Sequence, residues 1–326
     1  MKKKAWSAIF PALGMIMLIL DSKTAISGGL EGVRITLLTI LPALFPFFVL
    51  STLLTASLTG LHLRFLRPIG AFCRMPIGAE PLLLLGLLGG YPSGAQAIRQ
   101  AYSAGQITRQ DARRLLGFCN NAGPSFLFGI AALVFPHSWM PWALWLIHII
   151  SAILTGHLLP GGSLQRVQLP LGEPITLPKA VDQTARIMVK VCSWIILFRI
   201  FLAFCDRWFL WYFPSELQIL FVGILELSNG CLQLQNIASI PMRFCMCSAF
   251  LNLGGISVAM QTLSVVGSLG LGVYLPGKLL QCTISIVLSL LTFFPQYIPL
   301  AAIPLFFFLF LRKIKNNSRK SEKVIV

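Results

Sequence analysis

The sequence predicts an all-α polytopic membrane protein of about eight transmembrane helices plus two re-entrant helical hairpins in an inverted repeat. Three observations lead there. Of 326 residues, 56% are hydrophobic and only 11% charged, and mean hydropathy is +0.81, so the charges are too few to cover a water-facing surface. Basic residues gather in short clusters between long apolar runs. Two apolar runs are too short to cross a bilayer and end in polar, Gly-containing breaks. The excess of 26 Lys+Arg over 10 Asp+Glu is read as positive-inside topology, which makes membrane lipid the partner and excludes nucleic acid.

In chain order, Lys2 to Lys4 precede an apolar first span over 5–20, read as retained because no small-residue cleavage site follows before Asp21 and Lys23. A second span runs from about Val33 to Leu58, where Pro42 and Pro46 are expected to kink it. Arg64, Arg67 and Arg74 mark a cytoplasmic loop on the same side as the N-terminus. The apolar residues 81–90 are only half the length needed to cross, and Arg99, Arg109, Arg113 and Arg114 follow, so the chain is expected to return as a hairpin. Ser93 with Gln96 and Thr108 with Asp111 are spaced as helix starts.

The run Leu115 to Phe135 carries Asn120-Asn121-Ala122-Gly123-Pro124 and leads outward, Trp139, Trp142 and Trp145 fit an interfacial belt, and residues 142–159 cross back. Residues 160–190 read as a cytoplasmic loop and 191–213 as the next span, with Asp206 and Arg207 as a pair near its end. A second hairpin is expected from Leu217 to residue 247, broken at Glu226-Leu227-Ser228-Asn229-Gly230. A span from Phe250 contains Asn252-Leu253-Gly254-Gly255-Ile256-Ser257 and leads to a loop with Lys278. The spans 279–295 and 299–311 precede a basic cytoplasmic tail, 312–326. Residues 1–311 thus form one integral membrane domain, with one repeat over about 81–159 and the other over about 217–295. Gly90 precedes Asn120 by 30 residues and Glu226 precedes Asn252 by 26, which is the spacing argument for duplication.

No HExxH, GxSxG, phosphate loop or dinucleotide fingerprint occurs, so the chain reads as a non-enzyme with no cofactor. Eight cysteines and four histidines are scattered, and Cys245 with Cys247 lacks paired histidines, so no metal site is expected.

Four breaks carry the candidate chemistry. A helix broken in lipid leaves backbone donors and acceptors that survive only beside protein or a wet cavity. Helix starts following Gly94 and Gly230 would turn N–H groups toward a ligand, while the competing role for small residues is helix packing. The candidate ligand-binding residues are Gly90, Tyr91, Pro92, Ser93, Asn120, Asn121, Glu226, Asn229, Asn252, Ser257 and Gln261. Glu226 is the sharpest of them: at that depth a carboxylate is either functional, ion-paired with Arg243 or Arg199, or a protonated group bonded to backbone. Gln261 either lines the cavity or makes a packing hydrogen bond.

The stretches GGYPSGA (Gly89 to Ala95), FCNNAGP (Phe118 to Pro124), LELSNG (Leu225 to Gly230) and LNLGGISVAMQ (Leu251 to Gln261) resemble the sporulation integral membrane protein YlbJ family. That family carries a duplicated nucleoside-recognition, or Gate, domain, and the resemblance covers most of residues 30–300. It implies an endospore-forming bacterium, a place in the cytoplasmic or a forespore-related membrane, and a role in spore cortex formation. More remotely, the order of elements is similar to concentrative nucleoside transporters, in which two hairpins and two broken spans surround the substrate. The Gln-Thr-Glu of their first hairpin is replaced here by Tyr91-Pro92-Ser93. The expectation is a transporter-like protein moving a small polar solute, nucleoside-like by that resemblance. The alternative is a non-transporting membrane factor that supports spore envelope assembly. The sequence is compatible with a homo-oligomer.

Overall fold

The structure is a computed structural model that describes residues 2–58, 63–163, 165–169 and 175–297, with the side chains of 2–8 and 10 left out of the description. The span expected over 299–311 and the basic tail lie outside these residues. Within them every regular element is helical, and a single isolated bridge joins Ile77 to Arg166.

Fifteen α-helices are described: α1 Lys2–Leu20, α2 Ser22–Ile35, α3 Leu41–Leu58, α4 Arg67–Phe72, α5 Glu80–Leu88, α6 Ser93–Ser103, α7 Arg109–Leu116, α8 Pro124–Gly129, α9 Trp139–Leu158, α10 Leu177–Trp208, α11 Ser215–Leu225, α12 Leu227–Gln233, α13 Ile240–Leu253, α14 Gly255–Val266 and α15 Tyr274–Phe293. Five stretches are long and apolar enough to cross a membrane: Ser22–Leu58, Trp139–Leu158, Leu177–Trp208, Ile240–Leu269 and Tyr274–Phe293. With this pattern the chain is a multi-pass membrane protein.

Proline placement explains many helix starts. Pro68, Pro81, Pro124, Pro178 and Pro241 each sit in the first turn of a helix, where a missing N–H is no loss. Pro42 is met differently. A π-helical turn, Thr36–Ile40, joins α2 to α3 and widens the ladder just before the residue that cannot donate, so the second span begins at Ser22 rather than Val33.

α10 is the larger departure. It begins at Leu177, fourteen residues before the expected span, because Lys179, Asp182, Arg186 and Lys190 recur at helical spacing on an exposed face, with Arg186 and Asp182 paired at 3.2 Å. Against α10 lies α2, brought close by Gly28 and Gly32: a Cβ on Gly28 would stand 2.8 Å from that of Ala203. Asp206 pairs with Arg199 at 3.3 Å rather than with its neighbour, and Arg207 reaches Asp21 at 2.8 Å.

One end of the molecule is basic. The Arg114 guanidinium donates to the carbonyls of Cys73 and Gly156, Arg74 to those of His157 and Leu159, and Arg109 and Arg113 to those of Ser268 and Leu269. These residues satisfy loop carbonyls that helices leave behind, so the loops 73–79, 159–163 and 267–272 are tied to α7. At the other end Trp139, Trp142, Trp208 and Trp211 are exposed, as an interfacial belt requires.

Candidate functional site

Each short apolar helix is halted by a polar tip and doubles back. α5 packs on α6, and α11 packs on α12. The tip between α5 and α6 is Gly89-Gly90-Tyr91-Pro92, with a cis Tyr91–Pro92 peptide. The expected Ser93–Gln96 cap does not form. Pro92 stands at the N-cap, and the Ser93 hydroxyl instead donates to the Gly89 carbonyl at 3.1 Å, while Ser51 donates to that of Leu88 at 3.3 Å. Two hydroxyls thereby satisfy the carbonyls freed where α5 stops. The cap at Thr108, by contrast, accepts from the Asp111 N–H at 3.1 Å as its spacing predicts.

Glu226 is the whole of the second tip. Its backbone is extended and its side chain caps α12, accepting from the N–H groups of Ser228 at 3.1 Å and Asn229 at 2.7 Å and from the Asn229 amide at 2.8 Å. Among the described residues Glu226 has no ion pair: Arg243 donates to the carbonyls of Ile237 and Val134, and Arg199 pairs with Asp206. The helix starts fall at Ser93 and Leu227, not after Gly94 and Gly230, and their first donors face protein groups. Ala95 N–H, for example, donates to Asn120 Oδ1 at 3.2 Å. The negative group expected at the start of α12 is the chain's own carboxylate.

The second breaks pack on these tips. A Cβ on Gly86 would collide with the Cys119 carbonyl, and one on Gly223 with the Phe250 ring. Gly254 (φ +80°) takes a left-handed conformation to pass from α13 to α14. Across the molecule, the Tyr91 hydroxyl donates to the Leu251 carbonyl at 3.3 Å and the Asn120 amide to Thr262 at 3.0 Å.

Two cavities follow from this geometry. A chamber of about 40 Å³, room for water but not for a larger solute, is lined by Phe48, Gly90, Tyr91, Glu226, Ser228 and Gln261 among others. A vestibule of about 390 Å³ adjoins it at Phe48, lined by Ser51, Thr52, Ser93, Gln96, Gln100 and Gln183 and reaching the basic end at Gln106 and Leu169. Its lining carries no charged residue among the described ones.

The candidate residues therefore divide. Gly90, Tyr91, Glu226 and Gln261 line the chamber and Ser93 the vestibule. Pro92 shapes the tip, and Asn229 is held by Glu226. Asn120, Asn121 and Asn252 are fully buried struts outside both cavities, and Ser257 is buried with its hydroxyl unpaired. Asn252 and Gln261 do not share one cavity, because α13 and α14 are separate helices turned against each other at Gly254.

Sequence reasoning missed His148, Lys278 and Gln281. The sequence reads Lys278 as a loop residue, but it lies in the second turn of α15, only 1% exposed. It donates to Asn121 Oδ1 at 2.9 Å and to Gln281 Oε1 at 2.8 Å. Gln281 in turn donates to Asn121 at 2.9 Å and to Asn252 at 3.0 Å, and His148 Nδ1 lies 2.9 Å from Asn252 Oδ1. One amide so bridges the asparagines of both second breaks. The signal that could have found it is the i, i+3 pairing of Lys278 with Gln281 on a helix that otherwise reads as apolar.

Comparison with known proteins adds one relative. Over 101 residues the chain is 37% identical to the protein named sporulation integral membrane protein YlbJ of Bacillus subtilis (strain 168). The match takes in 29% of this chain and 24% of that protein, so it spans about a quarter of the relative's length. No family profile matches the chain. No solved structure matches it significantly.

Proposed function

We propose that this is a sporulation-associated membrane protein that moves a small, neutral, hydrogen-bonding solute across the cytoplasmic or a forespore-related membrane, in support of spore cortex formation. The observation that carries the reading is the vestibule of about 390 Å³, whose polar lining is made of hydroxyls and amides and which ends against the first tip at Gly89 and Ser93. Its volume is that of a small-molecule site, and an uncharged lining of Ser, Thr and Gln favours a neutral solute of nucleoside or sugar type. The association with sporulation rests on the partial likeness to YlbJ.

Alternating access supplies the mechanism. α5–α6 and α11–α12 act as re-entrant hairpins of an inverted repeat, and the closed chamber between their tips is the occluded stage on a path that opens first to the basic, cytoplasmic end. Phe48 forms part of both cavity walls, so movement of its ring would join them.

The test is thermal unfolding of the purified full chain with adenosine, uridine, glucose, N-acetylglucosamine or glutamine. A ligand at 100 times its Kd adds about 2.7 kcal/mol of apparent stability. Gln96→Leu with Gln183→Leu should remove the shift, and the same solute should cross proteoliposomes bearing the wild type. No stabilisation and no flux with any of them would defeat the transport reading in favour of a scaffold for envelope assembly.

A further inference from the structure

Lys278 is a buried charge-bearing group that the solute path does not use. It lies in a helix apolar enough to cross a membrane, and no carboxylate stands within 4 Å of it among the described residues. A lysine kept in such surroundings without a counter-charge is a functional group by default.

The hydrogen bonds around it have only one consistent sense. Asn121 Nδ2 donates to the Phe118 carbonyl at 2.7 Å and Asn252 Nδ2 to the Ser248 carbonyl at 2.7 Å, so both side-chain oxygens face inward as acceptors. Gln281 must therefore turn its NH₂ toward them and its oxygen toward Lys278. Lys278 is left to donate twice, to Asn121 and Gln281. Two N–H groups are what a neutral amine has. The third, present only in the ammonium, is left for the aromatic faces: Nζ lies 5.3 Å from the centre of the Tyr91 ring and 6.0 Å from that of Tyr274. Both protonation states thus keep every amide hydrogen bond. What changes between them is the attraction for the two rings, of which the nearer, Tyr91, lines the solute chamber and ties the first tip to α13.

We propose that Lys278 is a proton-binding site, taking up and releasing one proton in each transport cycle, and that Tyr91 conveys its state to the chamber. On release the N–H bond breaks, the electron pair stays on nitrogen, and the proton passes to water entering from the chamber once Tyr91 moves. The proposal deepens the transport reading and rests on it for the word cycle. Other titratable groups near the amine are His148 of α9, Cys119 of the first break, Tyr91 of the tip, and Tyr274 and Cys282 of α15 itself. The arginines of helices packed on α15 are engaged elsewhere, Arg113 and Arg114 with loop carbonyls and Arg243 with Ile237 and Val134.

The experiment places para-fluorophenylalanine at position 91 of the full chain in detergent and follows its fluorine resonance over the range in which protein lysines titrate, roughly pH 5 to 10.5. One step is expected in the otherwise wild-type protein, and a flat profile in Lys278→Met. Lys278→Arg, which keeps the cation and guards against a misfolded methionine variant, should also be flat. A flat wild-type profile, or a step that survives in either Lys278 variant, overturns the proposal. So does a step abolished by His148→Gln or Cys119→Ala. No solute is present, so failure here leaves the transport reading standing, and absence of solute binding beside a clear step removes transport alone.

Discussion

At the scale of single residues, Glu226 shows how a carboxylate can lie deep in the protein without a cationic partner among the described residues. Three N–H donors converge on it, two from the backbone it caps and one from Asn229. Glu226→Gln would keep the shape but set an amide NH₂ against donors, leaving at least one buried group unsatisfied at about 1 to 3 kcal/mol. The expected outcome is a lower melting temperature in detergent with no rescue by charge changes at Arg243 or Arg199. Rescue by Arg243→Gln would show that the carboxylate answers to a cation after all. The sequence pointed to Glu226 because a lone carboxylate among Ile224, Leu225 and Leu227 is conspicuous. Its actual partners were not legible, because a cap depends on where the helix begins, and that boundary was set by packing at Gly223 and Phe250.

At the scale of elements, both short helices are held by contacts in which only hydrogen fits. Gly86→Ala and Gly223→Ala should each destabilise the protein by about 3 kcal/mol or more, the upper end for overpacking, since the obstructing atoms are a backbone carbonyl and a buried ring. Gly105→Ala, at an exposed turn with open space around it, is the comparison, and its loss should be limited to its left-handed backbone, about 1 to 2 kcal/mol. Equal losses at all three positions in a thermal melt would contradict the close packing. The helices themselves were readable, since runs such as Leu82 to Leu88 admit little else. The start of α10 was not, because charges such as Lys179 and Arg186 suggest a loop until their spacing on one exposed face is considered. Lys278 misled for the same reason: a lysine after Gly267, Gly270 and Gly272 looks like loop, and only the polar face formed with Gln281 shows that it points inward.

At the scale of the whole molecule, the arginine-tied loops at one end and the exposed tryptophans at the other define an axis. By the positive-inside rule the arginine end is expected to face the cytoplasm. In a cysteine-depleted background, Ser268→Cys should be labelled only from the cytoplasmic side and His137→Cys only from outside by an impermeant maleimide. Both are exposed positions. Labelling of both from one side would end the alternating-access reading. The buried amine of Lys278 bears on how this architecture is made. A lysine within a hydrophobic segment opposes entry into the bilayer by up to about 2.5 to 3.5 kcal/mol, so α15 is a reluctant span when considered alone. The oxygen of Asn121 that receives it belongs to a part of the chain synthesised more than 150 residues earlier. The last described helix therefore depends for its insertion on a pocket that the first half has already built, and biogenesis acquires an order: the ribosome must finish the asparagine before the membrane can accept the lysine.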